Sequence, residues 1–347
     1  MSQTSPLPAE SHSPALYLRL TALWALCEAG LGGLLHLFKL PLTGILVSGF
    51  AIMCIALLGY YSRFRASVIV QAWVVVMAIK FTFSPHSPPT AYLAVTFQAF
   101  FSLLCFKIIP NFRLACVVAG MVALVESAGQ RILVLTIGFG MDFWRAIDQI
   151  QLTRKGDPLL LNMMSHSQLL IFAYLLLHAG AGAWVGWLAG RLPGRIENER
   201  RWLRSLEPST VEKLEKDPVN TRKKRRRPLV VPALLLLAGL VLLLLERPLG
   251  WSLLRAALLW LLYTSAFVQR HLFTWMQHLI ARLSKNHRPQ VAATTAALPQ
   301  LRACVRAAWT LARQHERGRY RQVLRFFPLV FALATTTAPA PSETAVF

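Results

Sequence analysis

The sequence predicts an all-α, polytopic membrane helix bundle, a six-helix core followed by a two-helix hairpin. Of its 347 residues, 55% are hydrophobic and only 15% are charged, and the mean hydropathy is +0.47; a soluble domain carries roughly a quarter charged residues. The apolar residues are gathered into runs close to the ~20 needed to cross a hydrocarbon core. Pro, Gly and charged residues cut between those runs at short intervals.

Residues 1–15 are polar and rich in Pro and Ser, and read as a disordered tail. With no basic segment before the first apolar run and no cleavage site, that run is expected to be retained as a helix. The six-helix membrane domain then covers 16–190, with helices over 16–38, 42–61, 66–83, 91–109, 112–139 and 168–190. Residues 191–228 form a basic linker expected on the cytoplasmic side. Part of it, 197–216, fits either a charged amphipathic helix with Trp202, Leu203, Leu206 and Leu214 as its apolar positions, or a solvated stop-transfer segment. The hairpin follows over 229–268, its second helix interrupted by Arg255. Residues 269–347 read as a basic amphipathic cytoplasmic tail, disordered at its end. Within it, 303–327 alternates Arg with Leu, Trp and Phe, as a helix lying on a membrane surface does.

The formal charge is +22, from 37 Lys and Arg against 15 Asp and Glu. Thirteen of the basic residues fall between Arg191 and Arg227, and eleven more from Arg270 onward. In a polytopic chain such clusters mark cytoplasmic segments lying against anionic lipid, so lipid and not nucleic acid is the expected partner. Basic residues in short loops orient the bundle. Arg63 and Arg65, Lys107 and Arg113, and the linker share one side if both termini are cytoplasmic in a bacterial inner membrane. The other side then holds the Ser84-Pro85-His86-Ser87-Pro88-Pro89 loop and the segment 141–167, whose charges nearly balance.

Motifs for chemistry are missing. The sequence has no Gly-x-x-x-x-Gly-Lys-Ser/Thr phosphate loop, no His-Glu-x-x-His and no Gly-x-Ser-x-Gly. Four cysteines, Cys27, Cys54, Cys105 and Cys116, lie inside apolar runs without metal-ligand spacing. No enzymatic activity, cofactor or metal is expected. The informative residues are instead the polar groups within predicted spans, because ionisable side chains at membrane depth are costly and face a cavity or a partner. Helix one carries Glu28 and His36, helix four Gln98, and helix five Glu126, Gln130 and Arg131. These six fall at a similar depth and are the candidate substrate-binding residues. Taken singly, Glu126 could be neutral, Arg131 could snorkel outward and His36 could be interfacial. Arg131 lies about 140° around the helix from Glu126, so Glu28 is its expected partner. Ala22, Ala25 and Ala29 make a small-residue stripe on helix one, open either to a partner subunit or to internal packing.

Ala25-Leu26-Cys27-Glu28-Ala29, together with Leu40-Pro41-Leu42-Thr43-Gly44 and the Ser-Pro-rich loop at 84–89, resembles the substrate-binding S components of energy-coupling factor importers. Those proteins have six helices, an Ala-x-x-x-Ala docking motif on helix one and outer gating loops. The resemblance covers 16–190. It implies capture of a vitamin or similar small-molecule nutrient, docking of a transmembrane coupling subunit on Ala22, Ala25 and Ala29, and separate ABC ATPases as the energy source. The chain departs from that pattern by continuing about 155 residues further, where Glu316-Arg317-Gly318 and Phe327-Pro328-Leu329 resemble the coupling region of the transmembrane subunit. The alternative function is a membrane scaffold or accessory protein that recruits lipid or cytoplasmic partners through its basic segments.

Overall fold

The computed structural model describes residues 14–32, 43–84, 87–150, 165–205, 274–275, 278–282 and 284–336. The chain divides into two compact units, residues 1–215 with 280–347, and residues 216–279. Of the second unit only Thr274, Trp275, His278 and Leu279 are described. Residues 1–13 of the expected N-terminal tail, the 229–268 hairpin and the last eleven residues lie outside the described residues, and Pro14 and Ala15 of that tail are the first residues of helix one.

The first unit is all helical where it is described: α1 (Pro14–Ala25) running into a π-helical segment (Leu26–Gly32), α2 (Thr43–Tyr61), α3 (Ala66–Phe83), α4 (Pro89–Ile108), α5 (Phe112–Phe139), α6 (Met141–Ile150), α7 (His166–Ser205), α8 (Arg288–His315) and α9 (Arg319–Thr336). Among the described residues, α2, α3, α4, α5 and α7 are long and apolar enough to cross a membrane. The protein is membrane-embedded. Large apolar side chains exposed along α5 and α7, among them Leu133, Ile137, Phe172, Leu176 and Trp184, need lipid around them.

One end of the bundle is basic and aromatic. Short turns join α2 to α3 and α4 to α5 there, the first carrying Arg63 and Arg65 and the second flanked by Lys107 and Arg113. Arg63 and Phe64 take left-handed φ values of 52° and 61°, uncommon for residues with a side chain. The turn is held by the Phe64 amide donating to the Gly59 carbonyl at 2.7 Å and by the Phe64 ring packing 5.7 Å from Phe106 and 5.8 Å from Phe112.

α5 and α7 cross in contact along much of their length because glycine removes the side chains between them. A Cβ on Gly120, Gly182 or Gly186 would strike the backbone of the opposing helix, and one on Gly190 would lie 3.0 Å from the Arg113 Cα. Lipid gives no hydrophobic drive for helix association, so close backbone packing of this kind supplies the attraction.

Three expectations change. Helix six does not stop at Gly190: α7 continues to Ser205 through Pro193. Leu192, Ile196 and Leu203 are buried at helical spacing along the extension, and this burial offsets the backbone hydrogen bond that proline removes. The start of the basic linker is therefore helix. The segment 141–167, expected only as an external connection, contains α6, whose Trp144 indole donates to Thr136 Oγ1 at 3.0 Å. Asp148 accepts from the Ser167 amide at 2.7 Å, an acidic group at the start of α7 where free amides favour it.

The third change concerns the C-terminal segment, expected to lie at the membrane surface. It forms two helices, α8 and α9, broken at Gly318, whose φ of 106° suits glycine. Both belong to the first unit. Gln290, Thr294, Ala297, Leu301, Cys304, Ala308 and Leu311 of α8 are buried at alternating steps of four and three, the seam spacing of two helices packed along their length, and α8 packs on α1, α3 and α9. On α9, Leu329 to Ala334 are all buried. Phe331 stacks on Phe50 of α2 at 5.5 Å, and Arg325 reaches Glu199 of α7 at 3.2 Å and Glu316 at 3.1 Å.

Candidate functional site

A cavity of about 210 Å³ lies between the π segment, α2, α3, α4, α5 and α7, in the half of the bundle away from the basic turns. Each helix gives it one face. α2 contributes Gly44, Val47 and Ser48; α4 contributes Ala91, Ala94, Val95 and Gln98; α5 contributes Ser127, Gln130, Arg131 and Val134; α7 contributes Tyr174 and His178. These spacings of three, four and seven are those of one helical stripe. Gly44 leaves the room: a Cβ there would collide with Ser127 Oγ.

At one wall the buried Glu28 carboxylate meets Lys80 Nζ at 2.7 Å. The ammonium also donates to the Ala91 carbonyl at 3.3 Å and stands 5.5 Å from the Tyr92 ring centre. Glu28 sits in the π segment, and such segments occur often at functional sites because the wider turn shifts a side chain out of α-helical register. At the floor, Gln98 Nε2 donates to Ser48 Oγ at 2.9 Å, while Gln98 Oε1 is buried with no partner. His178 Nδ1 donates to the Tyr174 carbonyl at 2.9 Å, leaving Nε2 as an acceptor in the neutral ring.

Of the six candidate binding residues, Glu28, Gln98, Gln130 and Arg131 line this cavity. His36 lies outside the described residues. Glu126 is not in the wall: one carboxylate oxygen accepts from Gln130, and the other is buried without a partner. The expected Glu28–Arg131 pair is corrected, since Glu28 is taken by Lys80 and Arg131 is an exposed residue at the cavity rim. α4 and α5 run antiparallel through a short turn near residue 110. Gln98 is therefore level with about residue 122, roughly 13 Å along the axis from Arg131. Gln98 is the floor and Arg131 the mouth.

The stripe on helix one is also corrected as a docking face. Ala22 and Ala25 are 0% exposed and Ala29 is half-buried, because α1 is enclosed by α2, α3, α8 and α9. The small residues serve packing within the chain. Lys80, Ser48 and His178 were not singled out from the sequence. A signal existed for Lys80: a carboxylate at membrane depth in helix one requires a cation, and Lys80 is the single charged residue within helix three.

Searches against protein-family models, curated proteins and solved structures each return no match.

Proposed function

We propose that this protein captures a small polar solute as the membrane-embedded binding subunit of an importer in the bacterial inner membrane. The observation that carries this reading is the cavity itself, a space walled by Glu28, Lys80, Gln98, Gln130, Arg131 and His178 inside an otherwise apolar bundle. Polar groups at that depth are costly unless partnered, and the unpartnered Gln98 oxygen gains a partner when a solute binds. The volume is below the ~300 Å³ at which pockets for drug-sized ligands begin, so the occupant is a compact nutrient or precursor. With Arg63, Arg65, Lys107 and Arg113 cytoplasmic by the positive-inside rule, both ends of the six-helix domain face the cytoplasm and the cavity faces outward.

The resemblance to energy-coupling factor S components supports a division of labour in which a transmembrane coupling subunit and separate ABC ATPases supply the energy. The enclosure of α1 puts any coupling contact on another surface. Native mass spectrometry of the protein from its own host tests the reading: a small molecule and ATPase subunits copurify. Copurification of neither removes the importer reading and favours the scaffold.

A further inference from the structure

The charges and hydrogen-bonding groups around the cavity identify a ligand class, an inference that rests on reading the cavity as a solute site. Glu28 and Lys80 neutralise each other at 2.7 Å. Arg131 makes no hydrogen bond or ion pair with any described residue, and the nearest carboxylate on its own helix, Glu126, is engaged by Gln130. Among the described residues, the wall thus carries one uncompensated cation, at its mouth. A guanidinium is a planar fork that matches a carboxylate with two parallel hydrogen bonds. About 13 Å deeper by the helical rise, the floor offers the free carboxamide oxygen of Gln98, a residue 1% exposed. Between floor and mouth, Val47, Ala94 and Val95 share the wall with Ser127, Gln130 and the mutually neutral Glu28–Lys80 pair.

We infer that the cavity takes a small organic carboxylate, its carboxylate on Arg131 and a hydrogen-bond donor at its far end on Gln98. The arrangement orders the ligand by length: the anion stays at the wet mouth, where its desolvation is smallest, and only the neutral end reaches the floor. A cation meets repulsion at the mouth, and a neutral amide of the same shape forfeits the paired charge.

The test uses the full-length protein in detergent and two acid–amide pairs, 4-hydroxybenzoate with 4-hydroxybenzamide and nicotinate with nicotinamide, plus inorganic phosphate, read by titration calorimetry. The acids bind at least tenfold tighter than their amides. Arg131→Gln abolishes that preference with the melting temperature unchanged, since the side chain is exposed, and Gln98→Leu weakens both 4-hydroxy compounds. Equal binding of acid and amide, a preference that survives Arg131→Gln, or phosphate binding as tightly as the acids overturns the inference. If all the probes are silent, the small molecule that copurifies decides. A carboxylate lost from Arg131→Gln sustains the inference, and a neutral or cationic compound, or an acid that Arg131→Gln retains, overturns it alone. The absence of any such molecule overturns the solute-site reading beneath it.

Discussion

Glu28 and Lys80, 52 residues apart in the chain, meet at 2.7 Å with each side chain 2% exposed, joining the π segment of helix one to α3 beside the cavity. Taking two ions from water costs several kcal/mol each, and only their mutual attraction and extra hydrogen bonds repay it. Removing one partner leaves the other charge buried alone. Glu28→Gln or Lys80→Met should each destabilise the protein by about 3 kcal/mol or more, whereas the double variant should recover most of the loss. Melting temperatures in detergent for the four proteins check this. Singles no less stable than the double would mean that the pair contributes nothing.

The glycine contact between α5 and α7 predicts a contrast within one helix. Gly186→Leu forces a side chain into the Cys116 backbone and should abolish monodisperse folded protein, overpacking of a tight contact costing about 1–3 kcal/mol or more. Gly180 has nothing within 4 Å of its would-be Cβ. Gly180→Ala should be neutral or stabilising by up to about 1 kcal/mol through helix propensity. Size-exclusion profiles and melting temperatures of the two variants give the answer, and equal behaviour would contradict the observed crossing.

Cavity volume should depend on Gly44. A side chain there meets Ser127 Oγ, the end of one side chain and not backbone, so Gly44→Val can fold by displacing it while filling the space. Copurification of the bound small molecule should fall at least tenfold, about 1.4 kcal/mol, with the melting temperature within a few degrees of wild type. Retention of the molecule at wild-type stoichiometry would place the site elsewhere.

Enclosure of α1 predicts thiol reactivity. All five cysteines of the chain are buried, so the native protein in mild detergent should label poorly with N-ethylmaleimide. Ala25→Cys should label no faster, because Ala25 is 0% exposed, while Tyr320→Cys, at a residue 67% exposed, should label readily. Rapid labelling at position 25 would show that α8 and α9 leave helix one open, as docking of a partner subunit on the alanine stripe requires.

The sequence by itself determined the bounds of two of the long apolar helices: the expected helices at 66–83 and 112–139 coincide with α3 and α5, because hydrocarbon sets span length and charged or Pro-containing turns set the ends. It also located four cavity residues, since a buried polar group in a span stands out against an apolar background. The Gly182, Gly186, Gly190 spacing was equally legible as a close-packing signal, although it does not say which helix it meets. Partner choice was decided by the tertiary structure alone. A membrane helix is apolar on every side, so the 3.6-residue period does not mark which face turns inward, and the rotation of helix one that gives Glu28 to Lys80 is set by packing. The same ambiguity made the alanine stripe of helix one read as open to a partner subunit or to internal packing alike. Only the packing of α8 and α9, from nearly 300 residues downstream, helps to turn that face into the centre of the bundle.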